Sequence, residues 1–200
     1  MPLSIAEELR ALGAPEEGLQ LPDVRVDPAR IRCIMINEAP PLDAREGFYA
    51  GGEGRDMHTV RALFHAAGVE IADHEALLAR GIYLTCAVKR AKTEYAVPAE
   101  WIDAHLPLLE CELSLFPNLR AIMLMGDVAK KALNILAKRR TGKPAIPSGA
   151  TYKIRERAFY YGDARVFPSY TMTGGNILIE KSKQRMVADD IRRMLELLDN

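Results

Sequence analysis

Three short apolar runs, separated by longer segments with helical periodicity, constrain the fold of this chain more than any other feature. The runs cover residues 32–36 (RCIMI), 82–88 (IYLTCAV) and 121–125 (AIMLM). Continuous apolar runs of this length, rich in β-branched residues, are typical of strands buried on both faces of a sheet. Because strands that alternate with helices form mostly parallel sheets, the pattern predicts a three-layer α/β/α sandwich around a short, mostly parallel sheet.

The segments between the runs show the apolar spacing of helices that pack one face against a sheet. Ser4 and Glu7 form a capping box that predicts the start of the first helix, and Pro107 predicts a kink in a helix that Pro98 opens. The predicted helices cover residues 5–13, 60–67, 98–113, 128–138 and 181–198. The second half also contains a predicted basic loop and two predicted strands, at residues 139–150, 152–157 and 165–168.

The composition predicts one globular domain and limits the classes of partner. A chain of 200 residues suffices for one core, with residues 1–30 as an N-terminal helix and an extended lead-in. Lys+Arg and Asp+Glu each number 27, so the net charge does not indicate a nucleic-acid partner. The local distribution of basic residues must decide that question.

Membrane and metal sites are not indicated. No apolar run reaches the ~18 residues of a membrane helix, and the N-terminus lacks the basic and apolar segments of a signal peptide. Cys33, Cys86 and Cys111 have no CxxC spacing, which predicts reduced thiols. We therefore expect a cytoplasmic monomer with no membrane partner. The four histidines show no ligand spacing, so no metal site is predicted.

Polar and basic residues follow each predicted strand. In parallel α/β sheets, ligands bind beyond the carboxyl ends of the strands. The first strand runs into residues 37–41 (NEAPP), where two prolines fix a turn that can aim a carboxylate and backbone amides into a pocket. Two basic residues (89–90) follow the second strand, a helix starts after Gly126, and the polar loop 168–176 follows the last strand. The sequence therefore predicts a ligand site around residues 37–41.

Five short segments in a fixed order carry a family resemblance. They are residues 36–41 (INEAPP), 46–49 (EGFY), 82–89 (IYLTCAVK), Gly126 with Ala129 and Leu133, and 167–173 (FPSYTMT). In order and spacing they resemble motifs of the uracil-DNA glycosylase superfamily, closest to its bacterial and archaeal family-four branch. The resemblance extends from about residue 30 to the C-terminus. It implies a protein of base-excision repair that flips a base out of DNA, single- or double-stranded, and hydrolyses its glycosidic bond.

The resemblance also implies a role for residues at each strand end. Asn37 or Glu38 would assist a water held against the sugar carbon, and Phe48 would stack on the base. Thr171, in the final loop, would stabilise the developing base anion. Four further residues would line the base pocket: Ala39, Pro40, Cys86 and Tyr170.

Contacts with the DNA itself are expected from basic and apolar residues outside that pocket. The predicted phosphate ligands are Lys89, Arg90, Arg139, Arg140 and Lys181. Ile177 and Leu178 would enter the duplex as an apolar wedge.

The sequence departs from the family at several of these positions. The family's base-reading Asn is Cys86 here, and a thiol cannot make the paired contact of an amide. The family's His is Thr171, which lacks the optional positive charge of an imidazole. The first motif glycine is Asn37. Arg90 and His105 match the positions of the last two cluster cysteines of family-four enzymes, and the N-terminal pair has no counterpart, so we expect no iron–sulfur cluster and no other cofactor.

Each candidate residue also has a structural interpretation. Cys86 fits a small buried residue, Glu38 a carboxylate that braces its loop, and Phe48 a core side chain. Residues 170–171 fit a sheet edge, and residues 177–178 fit a lead into the last helix, while basic runs fit a solvated surface. Two other functions stay open at this point. One is a superfamily member that binds nucleic acid or a free base without cleaving it, and the other is an unrelated small-molecule enzyme that uses the same cleft.

Overall fold

Five strands form the central sheet of the computed structural model, which describes residues 1–13, 17–51, 53–93 and 96–200. In chain order, the strands are β1 (Leu3–Ser4), β2 (Arg25–Val26), β3 (Cys33–Asn37), β4 (Ile82–Cys86), β5 (Ala121–Met125), β6 (Phe159–Tyr161) and β7 (Ala164–Ser169). The sheet has the order β4-β3-β5-β7-β6, and its neighbours are parallel except for the antiparallel pair β6 and β7. β1 and β2 form a separate antiparallel pair.

Helices cover both faces of this sheet. In the described chain they are α1 (Ile5–Arg10), α2 (Arg55–Ala66), α3 (His74–Ala79), α4 (Ala99–Leu115), α5 (Asp127–Thr141), α6 (Thr151–Ile154) and α7 (Lys181–Asp199). One apolar layer joins α1, α4 and α5 to Ile34 and Ile36, and the other joins α2, α3 and α7 to Cys33 and Met35. Since successive strand residues point to opposite faces, β3 is buried on both, and the predicted three-layer α/β/α sandwich is confirmed. Among these helices, none has the length and apolar character to span a bilayer.

The register of the sheet brings the ends of its parallel strands to one edge. Asn37, the last residue of β3, pairs with Cys86, the last residue of β4. On the other side of β3, Met125 of β5 pairs with Ser169 of β7. The segments that follow these four strands therefore open on the same side, which we call the carboxyl edge.

Several local predictions are confirmed by the hydrogen bonds of the backbone. The Ser4 hydroxyl accepts from the Glu7 amide over 3.3 Å, as a capping box requires. Pro107 lies inside α4, as predicted. β4 ends at Cys86, two residues earlier than predicted. The amide of Ala87 still donates to the carbonyl of Asn37 over 2.8 Å, so the chain beyond β4 stays tied to the end of β3.

Two predictions in the second half of the chain are wrong. Residues 152–157 are not a strand, since Thr151–Ile154 form α6 and Arg155 is buried in an ion pair with Asp190 at 3.0 Å. This tertiary contact outweighs the strand propensity of the segment. Residues 139–141 are not loop but the last turn of α5, which good helix formers extend until Gly142, at a φ of +77°, ends it.

Candidate active site at the carboxyl edge of the sheet

Two cavities open at the carboxyl edge, and the Asn37–Pro41 turn stands between them. The first cavity has a volume of about 360 Å³ and is lined by Pro40 and Pro41 of the turn. The second cavity has a volume of about 930 Å³ and is lined by Glu38 of the same turn. The two prolines fix the backbone, so one rigid turn presents different groups to two compartments.

Asn37 braces this turn from inside. The residue is only 1% exposed, and its side-chain amide donates to the carbonyl of Ala39 over 3.2 Å. The amide nitrogen also lies 4.0 Å from the sulfur of Cys86, and the amide oxygen accepts from the Thr173 hydroxyl over 3.4 Å. Asn37 therefore joins β3, β4 and the final loop. Asn37 is not among the residues that line either cavity.

The Glu38 carboxylate lies beside the N-terminus of α5, on the wall of the second cavity. One oxygen of its carboxylate accepts from the Val128 amide over 3.3 Å, and the other lies 3.8 Å from the Lys92 ammonium. A helix N-terminus and a cation both stabilise a carboxylate in its charged form. Thr171 lies close by, because a β-carbon placed on Gly126 would come within 2.6 Å of both the Glu38 oxygen and the Thr171 hydroxyl. Glu38 and Thr171 thus converge in front of Gly126.

Phe48 and Cys86 lie in the first cavity. Phe48 is 6% exposed and belongs to the apolar layer of α2 and α7, yet it also faces this cavity. Burial raises the pKa of Cys86 to about 12, so the thiol stays protonated near neutral pH. A protonated, buried thiol is a poor nucleophile, and Cys86 shapes the cavity wall.

Asp56 is a buried carboxyl group in the first cavity that the sequence analysis did not select. It lies in the first turn of α2, and one of its oxygens accepts from the Gly174 amide over 3.1 Å. Burial raises the pKa of Asp56 to about 6. In the sequence it stands at the end of a glycine-rich loop just before a helix, where acidic residues are ordinary. Only the fold reveals its burial.

The N-terminal lead-in forms an outer wall of the first cavity. Residues 19–23 line it, and Gln20 donates from its side chain to the Pro41 carbonyl over 2.9 Å. The backbone amide of Gln20 also donates to the Lys89 carbonyl over 2.7 Å. Arg90 donates to the Glu17 carbonyl over 3.1 Å and stacks over Trp101 at 5.4 Å. The guanidinium of Arg90 therefore fastens this wall to α4.

The expected phosphate contact of Lys89 is wrong, because its side chain is buried. Its ammonium donates to Glu112 over 2.5 Å and to the Thr85 hydroxyl over 2.6 Å. Tyr83 donates to the other oxygen of Glu112 over 2.6 Å. Burying both charges costs free energy, and this cost is offset only because the remaining polar atoms of the pair are also hydrogen-bonded. Lys89 fixes the end of β4 rather than meeting a ligand from solvent.

The predicted phosphate contacts of Arg139 and Arg140 at the carboxyl edge are also wrong. They lie in the last turn of α5, whereas the carboxyl edge meets the first turn, and a helix of 15 residues is about 22 Å long. Arg140 lies over the ring of Tyr161, near the turn between β6 and β7 at the opposite edge of the sheet. Lys181, by contrast, is exposed at the start of α7, and α7 follows the final loop.

The final loop, which follows β7, is held in place at its start and is more exposed further along the chain. The Ser169 hydroxyl, at the end of β7, donates to Asp190 over 2.7 Å. Tyr170 is half-buried on the wall of the second cavity, with the Lys183 ammonium 5.6 Å from the centre of its ring. Ile177 is buried and cannot form the expected wedge, since it packs into the apolar layer of α7.

Leu178 is half-buried, and the apolar side chain that projects from this loop is the next one along the chain. Ile179 is 78% exposed. The sequence does not single out Ile179, because residues 177–179 are three apolar residues in a row and their pattern does not tell which one packs inward.

No model of a known protein family matches this chain, and no curated protein matches it.

Proposed function

We propose that this chain is a DNA glycosylase-like protein of base excision, which hydrolyses the N-glycosidic bond of uracil or of another damaged base flipped out of DNA. The observation that carries the proposal is the division of the carboxyl edge by the Asn37–Pro41 turn into two cavities. A flipped nucleotide has two parts, a flat base and a charged sugar–phosphate. If the base occupies one cavity and the sugar–phosphate the other, the bond that joins them lies beside the rigid turn.

The first cavity suits the base. Its volume of about 360 Å³ lies near the lower end of the range for small-molecule sites, which is about 300–1,000 Å³. Phe48 offers an aromatic face for stacking, and Cys86 and Asp56 offer polar atoms at the wall. A base pocket needs this combination of an aromatic surface and a few directional polar groups.

The second cavity suits the sugar and its phosphates. It is wide, and the cations Lys92 and Lys183 line its wall beside the N-terminus of α5, each next to a carboxylate, Glu38 or Glu180. Cations and helix amides are the usual ligands of phosphate oxygens. Ile179, at the tip of the final loop, is the exposed apolar side chain best suited to fill the gap that a flipped base leaves in a duplex.

The reaction that fits this arrangement is hydrolysis by a single water. The water oxygen bonds to the sugar carbon as the bond from that carbon to the base nitrogen breaks, and the bonding electron pair leaves with the base. Glu38 is the group that accepts a proton from the water, since its carboxylate faces the second cavity beside the Thr171 hydroxyl. Asn37 acts as a positioning residue, because its amide holds the turn that carries Glu38.

Single-turnover excision tests this proposal. Oligonucleotides carrying uracil, hypoxanthine, xanthine or a damaged cytosine or adenine are incubated with excess protein, and abasic sites are counted after alkaline cleavage. Glu38→Gln keeps the shape of the side chain but removes the base, so the rate should fall about 100-fold or more. Glu110→Gln is the matched control, since that carboxylate is exposed on α4 and lines neither cavity. Folded wild-type protein that excises nothing from the panel would sink the proposal.

A base-binding protein without cleavage is the second candidate. It is favoured by the internal hydrogen bonds of Asn37, by the burial of the Lys89 side chain, and by the position of Arg139 and Arg140 in the last turn of α5. These features weaken water activation and phosphate binding but leave the first cavity intact. Binding of DNA or of free bases without any abasic product would favour this candidate.

A further inference from the structure

We infer that the first cavity selects a base whose pairing edge presents an amino group or adjacent N–H donors to Asp56, in preference to uracil. The inference rests on the proposed function and deepens it by naming the substrate class. Amino-bearing bases of this kind are derived from cytosine, adenine or guanine.

The position of the Asp56 carboxyl group is fixed by the loop beyond it. Its Oδ1 accepts from the Gly174 amide over 3.1 Å, and in the described part of the chain no other hydrogen bond reaches this carboxyl group. Asp56 is only 4% exposed, and it lines the same cavity as Phe48 and Cys86. The remaining accepting capacity of the carboxyl group is therefore available to a ligand that stacks on Phe48.

Among the described residues, no salt bridge pairs Asp56 with the cations that line the cavity, one of which is Arg10. Lys89 also lines the cavity, but its ammonium is committed to Glu112 and Thr85. None of the ion pairs in the described chain includes Asp56. A buried carboxylate with one hydrogen-bond donor and no ion-pair partner costs free energy, and a further donor on a ligand recovers part of that cost.

The chemistry of the two base edges then decides the preference. Uracil presents one N–H between two carbonyl oxygens, and these acceptors repel a carboxylate. A cytosine or adenine edge presents an exocyclic amino group, and Asp and Glu are the residues that accept from such a group on cytosine. Cys86 does not change this ranking, because a thiol is a weak donor and a weak acceptor. At neutral pH Asp56 is mostly ionised, since burial raises its pKa only to about 6.

Titration with free deoxynucleosides tests the inference without requiring cleavage. Deoxycytidine, deoxyadenosine, deoxyguanosine and deoxyuridine are added to the full chain at pH 7.5, and binding is followed by calorimetry and by chemical shifts of the amides. At least one amino-bearing nucleoside should bind about tenfold more tightly than deoxyuridine. Equal affinity, or no binding of any nucleoside to folded protein, would overturn the inference.

Asp56→Asn provides the second, opposite expectation. An amide supplies one donor and one acceptor, so this variant should lose about tenfold in affinity for the amino-bearing nucleoside and gain affinity for deoxyuridine. Asp103→Asn is the matched control, because Asp103 is an exposed carboxylate on α4 that lines neither cavity, and its removal should change neither affinity.

The outcomes separate this inference from the proposed function. If the nucleosides are ranked as expected but no oligonucleotide is cleaved, the selectivity stands and the glycosylase activity fails. If uracil is excised efficiently and Asp56→Asn changes neither binding nor excision, the glycosylase stands and the inference fails.

Discussion

The backbone amide of Gly174 donates to the carboxyl group of Asp56 over 3.1 Å, so the loop after β7 is tied to the first turn of α2. The two residues are 118 positions apart in the sequence. The contact joins the final loop to the first cavity, although most of that loop lines the second cavity. A change of charge at Asp56 therefore acts on both compartments.

The stability of the protein should fall as the pH rises through this carboxyl group. Burial raises the pKa of Asp56 from 3.8 to about 6, so between these values the folded state binds more protons than the unfolded state. Ionisation above about pH 6 then costs about 3 kcal/mol of the free energy of unfolding. Asp56→Asn should remove this slope and raise the urea midpoint at pH 7.5. Parallel pH profiles for the wild type and the variant would contradict the assignment.

Gly126→Ala should destabilise the fold and displace Glu38. Gly126 has a φ of +107°, and an added β-carbon would lie 2.6 Å from both Glu38 and Thr171. Strain at such a φ costs roughly 1–3 kcal/mol before the clash is counted. Gly142→Ala is the control, because its φ is +77° and nothing lies within 4 Å of the added carbon. Denaturant unfolding should show the larger loss for Gly126→Ala, and equal losses would argue against the close packing around Gly126.

Lys89→Met should be among the most damaging single changes in the chain. It leaves Glu112 buried without its cation, and breaking a buried pair in this way costs about 3–5 kcal/mol. Arg45→Ala breaks an exposed pair with Asp43 and should leave the free energy of unfolding nearly unchanged. The free energies of unfolding from urea titrations compare the two. A small loss for Lys89→Met would mean that Glu112 finds another partner or water.

Charge reversal should map the DNA surface to the carboxyl edge. Lys181→Glu with Lys183→Glu should reduce the salt dependence of DNA binding, by roughly 0.9 in the log–log slope for each phosphate that the protein no longer neutralises. Arg139→Glu with Arg140→Glu should leave the slope unchanged, since these residues lie at the far end of α5. The measurement is fluorescence anisotropy of a labelled oligonucleotide over a range of salt concentrations. The reverse result would move the DNA to the opposite edge of the sheet.

The sheet could be predicted from the sequence because its central strands are continuous apolar runs. β3 and β5 can be recognised as strands from their own residues alone, since every residue in each of them is buried. Their parallel pairing follows from the helices between them. The carboxyl edge, and with it the general location of the candidate site, followed from the same pattern.

The contents of the site could not be predicted in the same way, because they depend on contacts between distant segments. Lys89 resembles a surface cation until Glu112, 23 residues later, is packed beside it. Arg155 lies in a stretch with strand propensity, but its burial depends on Asp190. Asp56 resembles an ordinary first-turn residue until Gly174 covers it. Each of these side chains has a local pattern that is the same for an exposed and a buried position.

The wall of the first cavity formed by residues 19–23 depends on segments that lie later in the chain. This wall is held by hydrogen bonds to the carbonyls of Pro41 and Lys89, and the adjoining Glu17 by Arg90, which stacks over Trp101. All of these anchors come later in the chain than the wall itself. Closing such long loops costs entropy before any stabilising interaction forms. The first cavity is therefore complete only when β4 and α4 are in place, and ligand binding there reports a fully folded molecule rather than a formed sheet.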